Sequence, residues 1–461
     1  MAGRRARRVV RSRLGCRLPD PRELLQLRHR RCPGLDAFVR PDHGVHRIRR
    51  HRSRPGSPRA VASGDGAEIV NRVPPSTCHA LLNVGPGQAE YRTVPIPASS
   101  GDGGLGRVLA AGVCGSDLAL FGGNGIASGQ RPHILGHETV VRIDVTSAVL
   151  AERWGVREGD LVFVEEFIPC GWCETCRSGR YHVCPRTDFR SERFLRYGRT
   201  SLDTAPGLWG GFAEFLFLHP DARLHPVPDG VAPHLAVLAT PLANGLRWVR
   251  TVGDTRPGDA VVILGPGAHG LGCVVAAREA GAGEVILVGQ SVDTTRLTVG
   301  RALGASTLLR ADRDDVEAEV HRRTGGRGAN VVVDVTGSAN SPGLAIRLAR
   351  GGGIVVLAGG PPGPADGFPV ELITQRELRI AGVRGHQGQD IAGALRLIGS
   401  GKYDLDAVTT QTPLSEGAEL LRELVAAGAA RDAPHHVLVP GLRPTSMAAT
   451  ASEPAAREVP T

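Results

Sequence analysis

The chain has 461 residues, of which 41% are hydrophobic and 62 are glycine. This length allows two or three domains with a buried core, and the glycine content favours an α/β protein with many tight turns. The apolar runs fall short of the roughly 18 to 20 residues that cross a bilayer, so a membrane protein is not expected. The formal net charge is +9, but residues 1–60 alone hold 18 Arg and four acidic residues, so the remainder is mildly acidic.

Residues 1–76 form an Arg-rich arm with no sustained helical or strand period. Their Arg, Pro and Gly content disfavours a packed core, and they lack the apolar segment of a secretory signal. We therefore expect a disordered extension, for which translation from a misplaced start codon in a GC-rich gene is one explanation. An organellar transit peptide and a nucleic-acid-binding arm are the alternatives.

From about residue 78 the sequence changes to short apolar runs separated by turn residues, a pattern that predicts β-strands. The spacing of these runs predicts a compact, largely antiparallel β domain over residues 77–243. The expected strands of this domain are 80–84, 106–111, 139–145, 161–167 and 210–218.

Four of the nine cysteines lie within residues 170–184, with the spacing C-x2-C-x2-C-x7-C. A structural zinc ion is held in a tetrahedron by four thiolate or imidazole ligands, and short gaps let successive sulfurs converge on one ion. Four protein ligands leave no open position for a substrate, so such a lobe should stabilise the fold; a disulfide-stapled loop or a chance cluster is the alternative. The predicted zinc lobe spans 169–185, with the ligands Cys170, Cys173, Cys176 and Cys184.

Residues 244–385 alternate apolar strands with helices, which predicts a doubly wound parallel sheet. The first strand leads directly into Gly265-Pro-Gly267-Ala-His-Gly270, and a helix and a second strand follow. In this context a GxGxxG motif predicts a dinucleotide-binding turn. Gly265 and Gly267 would let the pyrophosphate approach the backbone N–H groups, and Gly270 would let the helix pack on the strand.

The end of the second strand of this domain bears on the choice of cofactor. The sequence Gly289-Gln290-Ser291 lacks the acidic residue that holds the ribose 2′-OH of NAD, while Asp293 lies slightly beyond and Arg296 further on. Loss of the acid removes the barrier to a 2′-phosphate, so the sequence favours NADP, with NAD as the alternative. The cofactor-binding candidates outside the glycine motif are Ser291, Arg296, Thr336 and Gly337.

The order of these features resembles the zinc-containing alcohol dehydrogenases of the medium-chain dehydrogenase/reductase family. The resemblance covers roughly residues 78–440 and implies a GroES-like catalytic domain, formed by 77–243 and 386–440, that is interrupted by a Rossmann domain at 244–385. The tail at 441–461 is expected to be disordered. The matching motifs are Gly112-Val-Cys114-Gly-Ser116-Asp117, Gly136-His137-Glu138, the four-cysteine lobe, Gly210-Gly-Phe-Ala-Glu214 and the glycine motif at 265–270.

The resemblance also implies a catalytic zinc ion with Cys114 and His137 as ligands. A thiolate and a neutral imidazole are suitable donors, and zinc acts as a Lewis acid on the oxygen of an alcohol. Ser116 matches the hydroxyl that passes the alcohol proton onward in the family. Asp117 matches the carboxylate that orients the ligand histidine.

Two positions depart from the family pattern. The third ligand, a Cys or Glu in the family, falls on Thr240, and a neutral hydroxyl is a poor zinc ligand. The alternatives for the third donor are Glu138, a water molecule or no donor, and Glu138 is also a candidate catalytic residue. Ala119 stands where relatives often carry a histidine that releases the proton.

These observations predict a cytoplasmic zinc-dependent dehydrogenase that transfers a hydride between a small alcohol or polyol and NAD or NADP. The resemblance implies a homo-oligomer, either a dimer or a tetramer, and we do not expect a membrane or a nucleic acid as partner. One alternative is a reductase of the same family that keeps only the structural zinc. Another is a cofactor-binding regulatory protein whose Arg-rich arm contacts nucleic acid.

Overall fold

The computed structural model describes residues 75–97, 103–123, 132–360, 363–365, 367–428 and 433–443. The predicted extension, apart from its last two residues, and the tail from residue 444 onward lie outside these ranges. Within them, no helix combines the length and the apolar character that crossing a bilayer requires.

The first part of the chain forms two sheets with short helices at their margins. A three-stranded antiparallel sheet has the order β2-β1-β4, and β3, β5, β6 and β8 are neighbours in a larger sheet, with β7 also paired to β3. The helices are α1 (Gly115–Phe121), α2 (Ala148–Trp154) and α3 (Glu174–Arg177). The strands are β1 (Thr77–Gly85), β2 (Gln88–Pro95), β3 (Gly104–Val113), β4 (His133–Ile134), β5 (Glu138–Val145), β6 (Leu161–Val164), β7 (Phe215–Leu218) and β8 (Leu224–Pro226).

The middle of the chain forms a six-stranded parallel sheet with the strand order β11-β10-β9-β12-β13-β14. The predicted doubly wound sheet is thus confirmed, and its strand order reverses next to β9, where ligands of such folds bind. Its strands are β9 (Ala260–Leu264), β10 (Glu284–Gly289), β11 (Thr307–Arg310), β12 (Ala329–Asp334), β13 (Ala349–Leu357) and β14 (Arg379–Gly382). The helices that precede and cover it are α4 (Pro233–Ala236), α5 (Ala239–Gly245) with a π-helical continuation (Leu246–Val252), α6 (Ala268–Glu279), α7 (Thr294–Ala302), α8 (Val316–Arg323), α9 (Ser341–Leu348) and α10 (Val370–Gln375).

After the parallel sheet the chain returns to the first domain. The last strand pairs antiparallel with β3 and parallel with its predecessor, which extends the larger sheet to the order β15-β16-β3-β5-β6-β8. A mainly-β domain interrupted by a parallel-sheet domain is the predicted fold class. The elements of this segment are α11 (Gly388–Gly399), β15 (Thr409–Pro413), α12 (Gly417–Ala427) and β16 (His435–Val439).

A close helix crossing joins the parallel sheet to the helix that leads into it. A Cβ on Gly245 of α5 would lie 2.3 Å from the carbonyl oxygen of Gly272 on α6, and a Cβ on Gly272 would lie 2.2 Å from that of Pro241. Because neither glycine carries a side chain, the two helix backbones touch. This contact fixes the position of α6, the helix that follows the glycine motif.

Candidate active site and zinc lobe

The four cysteines of the predicted zinc lobe converge in the structure, with all four Sγ atoms within 4.8 Å of one another. The Sγ–Sγ distance is 3.4 Å for Cys173–Cys176, 3.7 Å for Cys173–Cys184 and 3.9 Å for Cys170–Cys176. A tetrahedral site with Zn–S bonds of about 2.3 Å has sulfur–sulfur edges of about 3.8 Å. All four are free thiols, which disfavours the disulfide alternative. The lobe therefore fits a structural zinc ion.

Among the residues that the structure describes, a second group of possible metal ligands consists of Cys114, Glu138 and His269. Each offers one ligand atom, and these atoms all lie within 4.8 Å of one another. Cys114 follows β3 and is the N-cap of α1, Glu138 is the first residue of β5, and His269 is the second residue of α6. The group thus joins the mainly-β domain to the start of the helix behind the glycine motif.

Glu138 is fully buried, in space that a glycine leaves open. A Cβ on Gly112 would lie 2.5 Å from both Glu138 Oε2 and His435 Nε2, which are themselves 2.9 Å apart. Burial alone would raise the pKa of the Glu138 carboxyl, but His435 and His137 lower it, so the group is ionised at neutral pH. Its Oε1 atom accepts no hydrogen bond from the described residues, although a buried carboxylate oxygen normally has a partner.

Asp117 connects the two motifs that the sequence analysis paired. Its Oδ1 atom lies 3.1 Å from His137 Nδ1, and its Oδ2 atom accepts a 3.0 Å hydrogen bond from the Cys114 backbone N–H. Burial would lower the pKa of His137, but the charge of Asp117 raises this pKa well above its ordinary value. For Asp117 the effects are reversed: burial would raise the pKa of its carboxyl, but His137 lowers it. The His137 side chain also hydrogen-bonds to that of Cys114, although His137 is not a member of the group of three.

Two further candidates from the sequence stand at the edge of this centre. Ser116 is exposed in the first turn of α1, and its carbonyl oxygen accepts a 3.3 Å hydrogen bond from Arg199. Thr240 is buried in α5. The role of Ser116 as proton carrier stays a prediction. So does the assignment of Thr240 to the position where the family has its third zinc ligand.

The turn that carries His137 packs against Gly210 and Gly211, which belong to a segment that was predicted to be a strand. The predicted strand at 210–218 is shorter, because β7 begins at Phe215. A Cβ on Gly210 would lie 2.1 Å from the Ile134 carbonyl oxygen, and the Gly211 N–H donates to the Gly136 carbonyl at 2.8 Å. Residues 210 and 211 therefore pack as irregular backbone against the turn and position its side chains.

An ion pair beside His137 is not evident from the sequence. Glu166 Oε2 lies 3.8 Å from His137 Nε2 and accepts a 2.6 Å hydrogen bond from Arg196. Burial would raise the pKa of Glu166, but Arg196 and His137 hold it far below its ordinary range. Glu166 stands four residues before Cys170 in a run that was predicted only as a strand, so its role depends on the folded geometry.

His269 was also missed, because the sequence analysis weighed only the glycines of its motif. Its ring stacks on Trp248 with a centroid distance of 5.5 Å and an interplanar angle of 15°. Trp248 is itself anchored by a 3.1 Å hydrogen bond from its indole N–H to the Gly385 carbonyl. Burial lowers the pKa of His269 to about 4, so the ring is neutral at physiological pH. In the sequence His269 is only an imidazole at the second residue of a helix that follows a buried strand, a pattern that does not by itself indicate a metal ligand.

The glycine motif forms the tight turn that a dinucleotide requires. Gly265 has a φ of +104°, and a Cβ on Gly270 would lie 1.8 Å from the Gly265 carbonyl oxygen. Apart from its neighbours in the chain, no atom of the described residues lies within 4 Å of the Cβ position of Gly267, which leaves open space there at the N-terminus of α6. Thr336 adjoins Gly265 at the end of β12, and Gly337 follows with a φ of +70°. These residues meet at the carboxyl ends of neighbouring parallel strands, where this fold binds its cofactor.

The candidates at the end of β10 include an ion pair. Arg296 donates to Asp293 Oδ1 at 2.8 Å, and Asp293 Oδ2 accepts from the Gln290 N–H at 2.8 Å. A Cβ on Gly289 would lie 3.1 Å from Asp293 Oδ2, so this carboxylate turns back towards the end of the strand. The Ser291 N–H donates to Asp312 at 2.8 Å.

Comparison with known proteins places these features in a family. Residues 105–229 match the profile of the alcohol dehydrogenase GroES-like domain, and residues 268–400 match that of the zinc-binding dehydrogenases. A Mycobacterium tuberculosis protein named "Probable alcohol dehydrogenase adh" is 38% identical over 344 residues, which cover 74% of this chain and 92% of the relative. An erythritol/L-threitol dehydrogenase of Mycolicibacterium smegmatis is 30% identical, over 78% of this chain and 97% of the relative.

A crystal structure of an alcohol dehydrogenase from Thermotoga maritima superposes with a TM-score of 0.69 at 26% identity. The alignment covers 79% of this chain and 99% of that one. The GroES-like fold, the interrupting parallel sheet and the cysteine lobe agree with these matches. The chain therefore belongs to the zinc-containing alcohol dehydrogenases of the medium-chain dehydrogenase/reductase family, the NAD(P)-dependent oxidoreductases that act on CH–OH groups.

Proposed function

We propose that this enzyme reversibly oxidises a small primary or secondary alcohol or a polyol with NAD(P), at the site formed by Cys114, His137 and Glu138. One observation carries the proposal: Cys114 and Glu138 offer metal donors within 4.8 Å of a residue in the glycine motif. Metal chemistry and cofactor binding therefore meet in one place. A thiolate, an imidazole and a buried carboxylate form a donor set that suits zinc, and the unpartnered Glu138 Oε1 fits a metal ligand.

When bound, zinc supplies Lewis acidity at the substrate oxygen and the nicotinamide accepts or donates the hydride. Asp117 orients His137: because its carboxylate accepts a hydrogen bond from the Nδ1–H group, the Nε2 lone pair of the neutral imidazole is the one available for coordination. Arg199 and Arg196 offset the negative charge of Asp117 and Glu166 close to the site.

We assign proton transfer to the Ser116 hydroxyl. It is exposed, two residues after Cys114, so it can relay the alcohol proton from the site to solvent. Ala119, one turn further along α1, offers no acceptor, which leaves the relay to Ser116, cofactor hydroxyls and water.

For the cofactor, we propose that Gly265, Gly267 and Gly270 bind the pyrophosphate with the N-terminus of α6. Thr336 and Gly337 border this turn from the neighbouring strand. Ser291 and Arg296 would face the ribose. The Asp293 carboxylate also folds back to this end of β10, but Arg296 pairs with it, and the presence of this guanidinium supports NADP over NAD.

The assembly and the location are proposed by analogy with the family. We propose a homo-oligomer, dimer or tetramer, that works in the cytoplasm. Light scattering of the purified protein and fractionation of cells that express it would test these two points.

The deciding experiment counts zinc per chain by elemental mass spectrometry in protein purified without added metal, together with NAD(P)-linked oxidation of a panel of alcohols and polyols. We expect two zinc ions per chain in the wild-type enzyme. Cys114→Ala should lose one of them together with the activity. A single zinc ion that is lost only when a lobe cysteine is replaced would contradict the proposal and favour a reductase that keeps only the structural zinc.

A further inference from the structure

His269 extends the metal centre beyond the ligands expected from the family pattern. The usual third-ligand position holds Thr240, whose neutral hydroxyl is a poor zinc donor. In the structure, the group of three donors contains His269 from the dinucleotide-binding domain together with Cys114 and Glu138. We propose that His269 is a protein ligand of the catalytic zinc, so that the metal bridges the two domains; this inference rests on the proposed function.

The distances fit a shared ion. Ligand atoms on one zinc ion lie about 3 to 4 Å apart, given bond lengths of about 2.0 to 2.3 Å in a tetrahedron. The three donor atoms lie within 4.8 Å of one another, which is close to this spacing. Imidazole, thiolate and carboxylate are each common zinc donors.

The surroundings hold the imidazole in place. The Gly245–Gly272 contact fixes α6 against α5, and the parallel stack on Trp248 restricts the rotation of the His269 ring. On the other side, Glu138 is buried and its Oε1 atom accepts no hydrogen bond from the described residues. A metal ion between these two side chains would supply the partner that this oxygen lacks.

A ligand from α6 has a consequence for cofactor binding. His269 lies between Gly267 and Gly270, so a metal held by His269 also fixes the turn that binds the pyrophosphate. Metal binding and cofactor binding then become thermodynamically linked, and each changes the affinity for the other by the same factor. A metal held only by residues of the mainly-β domain would have no such direct link.

The test uses the full-length enzyme with Co²⁺ exchanged into the catalytic site and zinc retained in the lobe. The measurements are the metal dissociation constant from chelator competition and the visible d–d spectrum, which reports the ligand set. For His269→Ala we expect a dissociation constant raised about tenfold or more and an altered spectrum. His269→Gln keeps a polar side chain at this position and so controls for a folding defect. It should show the same rise in the metal dissociation constant and the same change in the spectrum. His321→Ala is the matched control, because His321 hydrogen-bonds to the Glu317 carbonyl in its own helix.

The outcomes separate this inference from the proposed function. If both His269 variants keep the wild-type metal affinity and spectrum, while Cys114→Ala loses the metal, the inference is overturned and the proposed function stands. If wild-type protein takes up metal only in the lobe, both are overturned. The NADH dissociation constant is a second readout: it should depend on the catalytic metal in the wild-type enzyme and not in His269→Ala.

Discussion

The two groups of possible metal donors in the described part of the chain are built in opposite ways. The lobe takes four thiols from residues 170–184, so its ligand set is local, uniform and closed. The other group takes Cys114, Glu138 and His269 from the ends of three elements in two domains, and these donors meet only when the chain is folded. A closed set of four thiolates stabilises a fold, whereas a mixed set of fewer ligands leaves a position for substrate. The contrast predicts that stability and activity can be impaired separately.

The largest expected effect is the loss of activity in Cys114→Ser. A serine hydroxyl is a poor zinc donor, and the Lewis acid is worth several kcal/mol in the transition state, so kcat/KM should fall on the order of a thousandfold. The thermal unfolding midpoint should change little, because Cys114 lies at the partly exposed start of a short helix. Steady-state kinetics and calorimetry check both parts. Activity within tenfold of wild type would show that this thiol is not needed for the chemistry.

Cys184→Ser should give the reverse result. Cys184 is buried, and removal of one of the four ligands weakens metal binding at this site. Because the free energy of metal binding contributes to folding, the protein becomes less stable. We expect the free energy of unfolding to fall by about 4 kcal/mol, at the upper end of single-residue effects, with kcat nearly unchanged in the folded fraction. Denaturant titrations with and without added zinc provide the measurement. An unchanged unfolding midpoint accompanied by lost activity would show that the lobe takes part in catalysis. The lobe and the second donor group would then not differ in function.

A smaller effect is expected at Gly112, which carries no ligand itself. A Cβ at this position would lie 2.5 Å from Glu138 Oε2 and from His435 Nε2, so Gly112→Ala should displace the carboxylate. Changes of this kind around a metal typically cost 10- to 100-fold in affinity, and we expect about tenfold for zinc at the catalytic site. Gly115→Ala is the control, since its Cβ position has no atom within 4 Å among the described residues other than its chain neighbours and the backbone of its own helix. Equal zinc affinity in both variants would mean that Glu138 is not a ligand.

The same contrast explains how much the sequence could predict. The lobe was predicted ligand by ligand, because two-residue gaps place successive sulfurs on one ion whatever surrounds them. The glycine motif was predicted equally well, because a GxGxxG between a strand and a helix depends only on neighbouring backbone. Cys114, His137 and Asp117 were proposed from the family resemblance, and the structure brings them together.

His269 and Glu166 could not be predicted, because their roles depend on contacts between distant elements. His269 lies on α6, which packs against α5 through the contact of Gly245 with Gly272, and no local sequence pattern indicates such a helix crossing. In the sequence Glu166 belongs to the end of an ordinary predicted strand. Its role depends on the hydrogen bond from Arg196, which lies thirty residues later in the chain. The start of β7 was predicted too early, at residue 210, for a related reason. Gly210 and Gly211 extend an apolar pattern in the sequence, but because they have no side chains their backbone packs against the turn that carries His137.

The last effect, which we expect to be confined to one of the two cofactors, concerns the ribose end of the cofactor site, away from both donor groups. If NADP is the cofactor, the Arg296 guanidinium is the candidate partner of its 2′-phosphate, and the Asp293 carboxylate 2.8 Å away competes for it. Arg296→Gln should therefore raise the NADPH dissociation constant about tenfold, as expected for the loss of one charge-assisted hydrogen bond, with less than a twofold change for NADH.

Asp293→Asn provides the opposing variant. The amide oxygen can still accept the Gln290 N–H bond, but the competing charge is gone, so NADPH should bind more tightly. Fluorescence titrations with both cofactors measure these constants, and zinc content should stay at the wild-type value in both variants because neither residue lies in a donor group. If Arg296→Gln weakens NADH and NADPH equally, the ion pair only supports the start of α7, and specificity for the phosphate must come from another residue.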